Sequence, residues 1–330
     1  MSFLTTGTGS GISGSIGRYF TVVSFVPSLL LVAWISFVAS SGAWSAPPDW
    51  QQAAQFFTRI SLGSVFLLVL IAIAIGVALH PLQFTLMQLL EGYWGTSGLA
   101  IELRVTRTAR YDEILGRLLG VDVTDVAGEE PGNGGDSSLT IHKIIDDEVA
   151  RQQSYYPRNP RDLMPTRLGN VLRRYEIDFG SEYGLSVVTF AEHLATVASP
   201  EQMRYVNDQR IALDFAVRYC IIGLLGSVAT AVFLWQHGIW LLVALAPYFL
   251  GYFAYCGSII VAEAYGRALG ALVDLNRFEL YQRLRLVLPK TTDEERRLTE
   301  TLNLLTERHR TDESLPYAHP TPSGQTSADE

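Results

Sequence analysis

Four apolar runs, each about as long as a bilayer is thick, constrain the fold of this chain more than any other feature. They cover residues 19–39, 60–79, 215–235 and 239–262. A helix needs about 20 apolar residues to cross the hydrocarbon core, and in lipid only helices and closed barrels satisfy their own backbone. The runs are longer than the strands of soluble proteins. They therefore predict an all-α integral membrane protein with four transmembrane helices.

The spacing of the runs predicts two hairpins with a large insertion between them. Only residues 236–238 separate the third run from the fourth, so these two helices must be adjacent and antiparallel. Residues 81–211 lie between the second and third runs, and we expect them to form a mainly helical cytoplasmic domain. Residues 263–310 should extend the fourth helix as a cytoplasmic helical region. Residues 1–18 and 311–330 are rich in Gly, Ser, Thr or Pro, which predicts a flexible N-terminal tail and a disordered C-terminal tail.

The positions of the basic residues predict the orientation. Of the 25 lysines and arginines, 24 fall in the tail 1–18, the long middle segment, the C-terminal region and at Arg218; the exception is Arg59. Because basic loops stay in the cytoplasm, we expect a multi-pass plasma-membrane protein with both termini cytoplasmic. Four tryptophans then lie at the outer interface, where aromatic belts form: Trp44, Trp50, Trp235 and Trp240.

Small residues at every fourth position predict a packing face on the fourth helix. The stripe consists of Ala254, Ser258, Ala262, Gly266 and Gly270. Membrane helices associate through such residues because small side chains allow backbones to approach closely. The pattern leaves open whether the partner lies in the same chain or in a second copy, so a homo-oligomer is one expectation.

Two pairs of opposite charges lie at the ends of the runs. Asp214 and Arg218 are spaced i, i+4 at the start of the third run, and Glu263 and Arg267 repeat that spacing after the fourth. Residues at this spacing share a helix face. We expect two ion pairs at the membrane interface that fix helix depth, rather than an ion pathway, because no acidic residue lies near a midplane.

A run of arginines is the most distinctive feature of the predicted cytoplasmic domain. Residues 151–174 hold six arginines and a single acidic residue, Asp162. Guanidinium groups suit phosphates and carboxylates, so the segment predicts a site for an anionic ligand or a cytoplasmic protein partner. An alternative is internal pairing with residues 175–208, which carry a net charge of −5. The candidate arginines are Arg158, Arg161, Arg167, Arg173 and Arg174.

The chemistry-bearing motifs of enzymes are absent from the sequence. It has no Walker A, GxSxG, HExxH or CxxC pattern, and its two cysteines exclude a disulfide framework and a cysteine-only zinc site. We therefore expect no catalysis, no cofactor and no metal. The net charge of −8 also argues against nucleic acid as a partner.

Three local patterns predict further elements. Leu185 to Phe190 reads as a short strand, a helix should run from Pro200 into the third span, and Thr292 to Glu295 is a capping box that should open a helix through about Arg308. The segment after the second run places Leu86 and Leu90 on one side of an amphipathic helix at the membrane surface.

Several stretches resemble a group of uncharacterised four-span membrane proteins of high-GC Gram-positive bacteria. The resemblance rests on LLEGYW at 89–94, PTRLGNVLRR at 165–174, YGL at 183–185 and DLNRFELYQRLR at 274–285, and covers most of the chain from 81 to 288. It implies a four-span plasma-membrane protein and carries no activity with it.

Two functions fit these patterns. The first is a non-enzymatic integral membrane protein whose arginine-rich module binds a partner or an anionic ligand, as an oligomer. The alternative is a channel or transporter, favoured by Pro27 and Pro247, which can kink the first and fourth helices.

Overall fold

A computed structural model describes residues 20–120, 155–308 and 314–318, and within these ranges the chain is helical without strands. A π-helical segment, Phe20–Phe25, leads into the first α-helix. The α-helices are α1 (Val26–Ser40), α2 (Trp50–Thr58), α3 (Leu62–Leu79), α4 (Gln83–Glu91), α5 (Gly98–Gly120), α6 (Arg167–Asp178), α7 (Val187–Val197), α8 (Pro200–Leu234), α9 (Leu245–Arg283) and α10 (Thr292–Arg308). Short 3-10 segments lie at Pro160–Asp162, Ser181–Tyr183 and Gly238–Ala244.

Four helices are long and apolar enough to cross a membrane: α1, α3, α8 and α9. This confirms the all-α class and the four candidate spans. α1 packs against both α3 and α8, so the first two spans join the α8–α9 pair in one bundle. The fourth span begins as the 3-10 segment Gly238–Ala244 and becomes α-helical only at Leu245.

α8 and α9 form a stem much longer than a bilayer. They contain 35 and 39 residues, or about 52 and 58 Å at the rise of an α-helix. The predicted helix from Pro200 is therefore continuous with the third span, and the fourth span continues past its apolar part as one helix. The two backbones meet at Gly223 and Gly251, where a Cβ on Gly223 would lie 2.5 Å from the Gly251 nitrogen.

Aromatic rings gather at one end of the bundle, which we call the aromatic end. Trp50 lies 5.5 Å from Trp240 and Trp44 lies 5.7 Å from Phe233, measured between ring centroids. α2 places Trp50 there, because Asp49 caps this helix by accepting hydrogen bonds from two backbone N–H groups. α2 was not predicted from the sequence, because its nine residues are too few to show a clear helical spacing of apolar side chains.

At the opposite end, α6, α7 and α10 cover the extensions of α8 and α9, and we call this assembly the module. One continuous core joins these elements, and it includes Leu168, Phe190, Leu213, Leu272 and Leu298. The module thus folds directly on the stem that crosses the membrane.

The half of the small-residue stripe on α9 that lies nearer the module packs against other residues of the same chain. A Cβ on Gly266 would overlap the ring of Tyr175, and one on Gly270 would overlap the ring of Phe179. Both rings belong to α6 or its C-cap, and they stack on each other with centroids 5.0 Å apart. Ser258 and Ala262 are also buried, and Ala254 is half-buried.

The strand expected at Leu185–Phe190 is wrong. Ser186 caps α7, which begins at Val187 and buries Val187, Phe190 and Leu194 on one face. Those three residues have helical spacing. A six-residue apolar run does not separate a strand from a buried helix by its pattern.

Two predictions for the C-terminal region change in detail. The cap of α10 lies one residue earlier than expected: the Thr291 hydroxyl accepts from the Glu294 N–H, and the Glu294 carboxylate accepts from the Lys290 N–H. Residues 314–318, inside the predicted disordered tail, are ordered against the module. Leu286 pairs with Tyr317 in an antiparallel bridge, in which the Val287 N–H donates to the Pro316 carbonyl and the Ala318 N–H donates to the Arg285 carbonyl. These hydrogen bonds and the packing of Leu315 hold the stretch in place despite its polar composition. The rest of the tail, 311–313 and 319–330, and residues 1–18 lie outside the described residues.

Candidate functional site

The two best-marked sequence motifs, LLEGYW and PTRLGN, meet each other where the module joins the bundle. The Thr166 hydroxyl donates to the Glu91 carbonyl at 2.9 Å and also caps α6 by accepting from the Gly169 N–H. Gly92 ends α4 in the left-handed conformation with φ 103°, and a Cβ there would overlap Pro165. A Cβ on Gly169 would overlap the Glu91 carbonyl. The motif glycines therefore allow α4 and α6 to touch backbone to backbone.

Asn170 holds the loop that leads into α6. It is completely buried, donates to the carbonyls of Met164 and Thr166, and accepts from the Met164 N–H at 2.7 Å. The backbone of Arg167 and Leu168 faces the Tyr255 hydroxyl on α9. The first turn of α6 is thus fixed against the fourth span by side chains of the same chain.

Three of the five candidate arginines pair within the module. Arg174 contacts Asp178 at 3.1 Å, and Arg158 reaches the same carboxylate at 3.9 Å. Arg173 lies 3.5 Å from Asp162. Arg173 also lies 3.6 Å from Glu176, so each of these three arginines meets a carboxylate of residues 175–208, as the internal-pairing alternative expects.

Arg161 and Arg167 are exposed, and among the described residues no ion pair is recorded for either. Arg167 lies near two further arginines, Arg107 and Arg110, which were not candidates from the sequence. Arg107 and Arg110, both exposed on α5, lie one turn apart and flank Tyr111. The Tyr111 ring packs 5.7 Å from the ring of Tyr156. We call Arg107, Arg110 and Arg167 the basic patch.

The two phenols beneath the basic patch, those of Tyr111 and Tyr156, feel the charge of its arginines, which acts on their pKa values. Burial raises the pKa of Tyr111, while Arg167, Arg107 and Arg110 act in the opposite direction. Burial likewise raises the pKa of Tyr156 against the field of Arg167. Among the described residues, the charged groups that act on these two phenols are all arginines. Such a group of guanidinium side chains favours anions.

Arg218 links α4 to the third span. It is completely buried, and its Nε and Nη2 donate to the Gln83 side-chain oxygen at 3.0 and 2.5 Å. The Gln83 amide faces Asp214 at 3.4 Å. The sequence predicted Asp214 as the pairing partner of Arg218, and it missed Gln83 because the two lie 135 positions apart. The other predicted pair, Glu263 and Arg267, is in contact at 3.2 Å.

The depth of the basic patch along the stem follows from the α8–α9 crossing. Arg218 lies five residues before Gly223, and Tyr255 lies four residues after Gly251, so both stand about 7 Å from that crossing on the module side. Tyr255 in turn faces the start of α6 at Arg167. From Arg218 to Trp235 the third span rises about 26 Å, close to the thickness of a hydrocarbon core. Arg167 therefore lies at the level where the apolar part of the stem ends.

Two carboxyl groups with altered titration lie beside this junction. Burial and the charge of Glu176 raise the pKa of Glu91 to about 7. Burial also raises the pKa of Glu176, although Arg173, 3.6 Å away, opposes the shift. Neither carboxyl was a candidate from the sequence, since each appears there as one acidic residue within a helix.

Replacing Glu91 with glutamine should stabilise the protein strongly at pH 8 and much less at pH 5. A carboxyl whose pKa is about 4.3 unfolded and about 7 folded holds its proton longer in the native state, so folding loses stability as pH rises from about 4.3 to 7. We expect the unfolding temperature of Glu91→Gln to exceed that of the unchanged protein by about 5 °C at pH 8.

The matched control for this experiment is Glu102→Gln, an exposed position on α5. It should change the unfolding temperature equally little at both pH values. A Glu91→Gln difference that is the same at pH 5 and pH 8 would show that Glu91 does not titrate in this range.

Comparisons with protein-family models, with curated proteins and with solved structures found no match.

Proposed function

We propose that this protein is a non-enzymatic, multi-pass membrane protein whose module binds a phosphate-bearing anion at the basic patch. The observation that carries the proposal is the packing of Tyr111 on Tyr156, 5.7 Å between ring centroids, which brings Arg107 and Arg110 of α5 to the same phenol as Arg167. Several guanidinium groups gathered at one point are the usual means by which proteins bind phosphate groups.

The contacts of the other candidate arginines support placing the anion at Arg107, Arg110 and Arg167. Arg173 and Arg174 pair with Asp162, Glu176 and Asp178, and the exposed Arg158 lies 3.9 Å from Asp178, so these three arginines already have carboxylate partners within the chain. Arg161 is exposed in the segment that precedes α6.

The setting of the patch is part of the proposal. Of the 25 basic residues, all but Arg59 lie in the N-terminal tail, the middle segment, the C-terminal region or at Arg218, which favours a cytoplasmic location for the module, with both termini on the same side of the plasma membrane. The spans α3 and α9 leave most of their apolar surface unburied within one chain, and only 11% and 17% of their spanning windows are buried. That surface is available to lipid and to a second copy, so we retain the homo-oligomer as a proposal.

The test of phosphate recognition uses a soluble probe without acyl chains. The protein, purified in a detergent free of phospholipid, is titrated with glycerol phosphate while its unfolding temperature is recorded at constant ionic strength. We expect saturable stabilisation, and we expect the triple variant Arg107→Gln, Arg110→Gln, Arg167→Gln to require about tenfold more ligand for the same shift.

A control triple variant separates the patch from general charge. Arg204, Arg283 and Arg297 are exposed elsewhere on the module, and their replacement by glutamine removes the same net charge. This control should respond to glycerol phosphate like the unchanged protein. No stabilisation, or equal losses in both triple variants, would overturn the proposed function.

A further inference from the structure

The face of α9 beneath the basic patch carries tyrosines that point away from the bundle. Tyr255 is half-buried against the start of α6. Tyr252 and Tyr248 follow one and two turns deeper in the span, and 51% and 43% of their surface is exposed. The three rings thus form a continuous line from the basic patch toward the middle of the span.

The position of these rings around the helix agrees with their exposure. Gly251 packs against Cys220 and Gly223 of α8, and Tyr248 and Tyr252 lie about 60° and 100° around the helix from Gly251, on the flank of that contact face. Their rings have neighbours on α9 itself, Phe249 and Phe253, in edge-to-face contact.

The chemistry of the two parts fits one occupant. The basic patch offers positive charge at the level where the apolar stem ends, which is the depth of phosphate groups in a bilayer. The tyrosine line offers apolar ring surface below that level, where acyl chains lie, and tyrosine is the residue that joins an apolar contact to a polar interface. A second copy would meet the tyrosines but would have to bring acidic groups to the patch.

We propose that the basic patch and the tyrosine line together hold one anionic phospholipid, with its phosphate on Arg107, Arg110 and Arg167 and an acyl chain along Tyr255, Tyr252 and Tyr248. This inference rests on the proposed function and names its ligand class: a membrane phospholipid rather than a free phosphate compound.

The test measures lipid retention. The full chain is reconstituted in nanodiscs of equal phosphatidylglycerol and phosphatidylethanolamine, released, and analysed by native mass spectrometry. We expect retained phosphatidylglycerol in preference to phosphatidylethanolamine. The double variant Tyr248→Ala, Tyr252→Ala should retain about fivefold less phosphatidylglycerol, and the basic-patch triple variant about tenfold less.

The matched control is Phe66→Ala, Leu70→Ala, which removes two exposed apolar side chains one turn apart on α3, a span outside the α8–α9 pair. It should retain phosphatidylglycerol within about twofold of the unchanged protein. Melting temperatures of all variants exclude unfolding as the cause of a loss.

The outcomes separate this inference from the function on which it rests. Patch-dependent glycerol phosphate binding without preferential retention of phosphatidylglycerol would overturn the lipid assignment and leave the phosphate site intact. A discrete oligomer that carries no lipid, and that the tyrosine variant dissociates, would assign the tyrosine line to a second copy and also overturn it. Failure of the glycerol phosphate titration and of lipid retention would overturn both proposals.

Discussion

Replacing Gly223 with leucine is expected to separate the third and fourth spans and to lower the unfolding temperature by about 10 °C or more. At this crossing a single Cβ would lie 2.5 Å from the Gly251 nitrogen and 2.7 Å from the Pro247 carbonyl. Both neighbours are backbone atoms, so no side chain can rotate to make room. The helices must move apart, and every contact between them toward the module is weakened. Thermal unfolding in detergent measures the effect, and Gly223→Ala should show a smaller shift of the same sign.

Gly257 provides the control for this experiment. It lies on the same stem, and a Cβ there would meet nothing within 4 Å. We expect Gly257→Leu to unfold within about 2 °C of the unchanged protein. Equal effects at the two glycines would mean that α8 and α9 do not cross at Gly223.

Removing the Glu295 carboxylate should detach the C-terminal helix from the module. Glu295 is buried and accepts hydrogen bonds from the Arg277 Nε and the Tyr281 hydroxyl, both at 3.0 Å. The Arg277 guanidinium also lies 3.9 Å from the centre of the Tyr183 ring. Glu295→Ala leaves the half-buried Arg277 guanidinium with only the exposed Asp274 carboxylate, 4.0 Å away, as a counter-charge, a change that costs about 1–3 kcal/mol in folding free energy. Hydrogen exchange over α10, together with thermal unfolding, measures the loss.

Two further variants identify the cause of that loss. Glu300→Ala removes an exposed carboxylate from the same helix and should have little effect. The double variant Arg277→Met, Glu295→Leu should recover part of the lost stability, because no uncompensated charge remains buried. If the double variant is less stable than Glu295→Ala, the loss of stability comes from altered packing and not from an unpaired charge.

The sequence predicted the elements whose signal is local. An apolar run of about 20 residues identifies a span without knowledge of its neighbours, and the small-residue stripe on α9 identified a packing face. The stripe did not identify the partner of Gly266 and Gly270, because the rings of Tyr175 and Phe179 come from a helix about 90 positions earlier. The predicted helix from Pro200 into the third span was likewise local, since Ser199 and Gln202 form its capping box.

The candidate site was less accessible to sequence reasoning because it joins distant segments. In the sequence Arg107 and Arg110 are two arginines of a helix with no distinguishing pattern. They become part of a site only because Tyr111, which they flank, packs in a cluster with Tyr156 and Leu163 close to Arg167. The arginine-rich segment was noticed for its charge, yet the structure uses three of those arginines to pair with nearby carboxylates. Arg218 presents the same difficulty, since its main hydrogen-bond partner is a glutamine on α4 and not an acid on its own helix.

The fold makes the patch a fixed feature of the stem. Thr166, Gly92 and Gly169 lock α4 to α6, and Gly266 and Gly270 lock α6 to α9. Gln83 then ties α4 to Arg218 on the third span. A ligand that binds at Arg167 therefore acts on a helix that contacts α9 directly and α8 through α4, which gives it a route to influence their packing.

The most direct test of the central claim is a cryo-electron microscopy map of the protein in nanodiscs that contain phosphatidylglycerol. We predict that the headgroup layer lies level with Arg218 and Tyr255, and that headgroup density contacts Arg107, Arg110 and Arg167. A map in which the bilayer ends well short of Arg167, with the basic patch in open water and no bound headgroup, would contradict it.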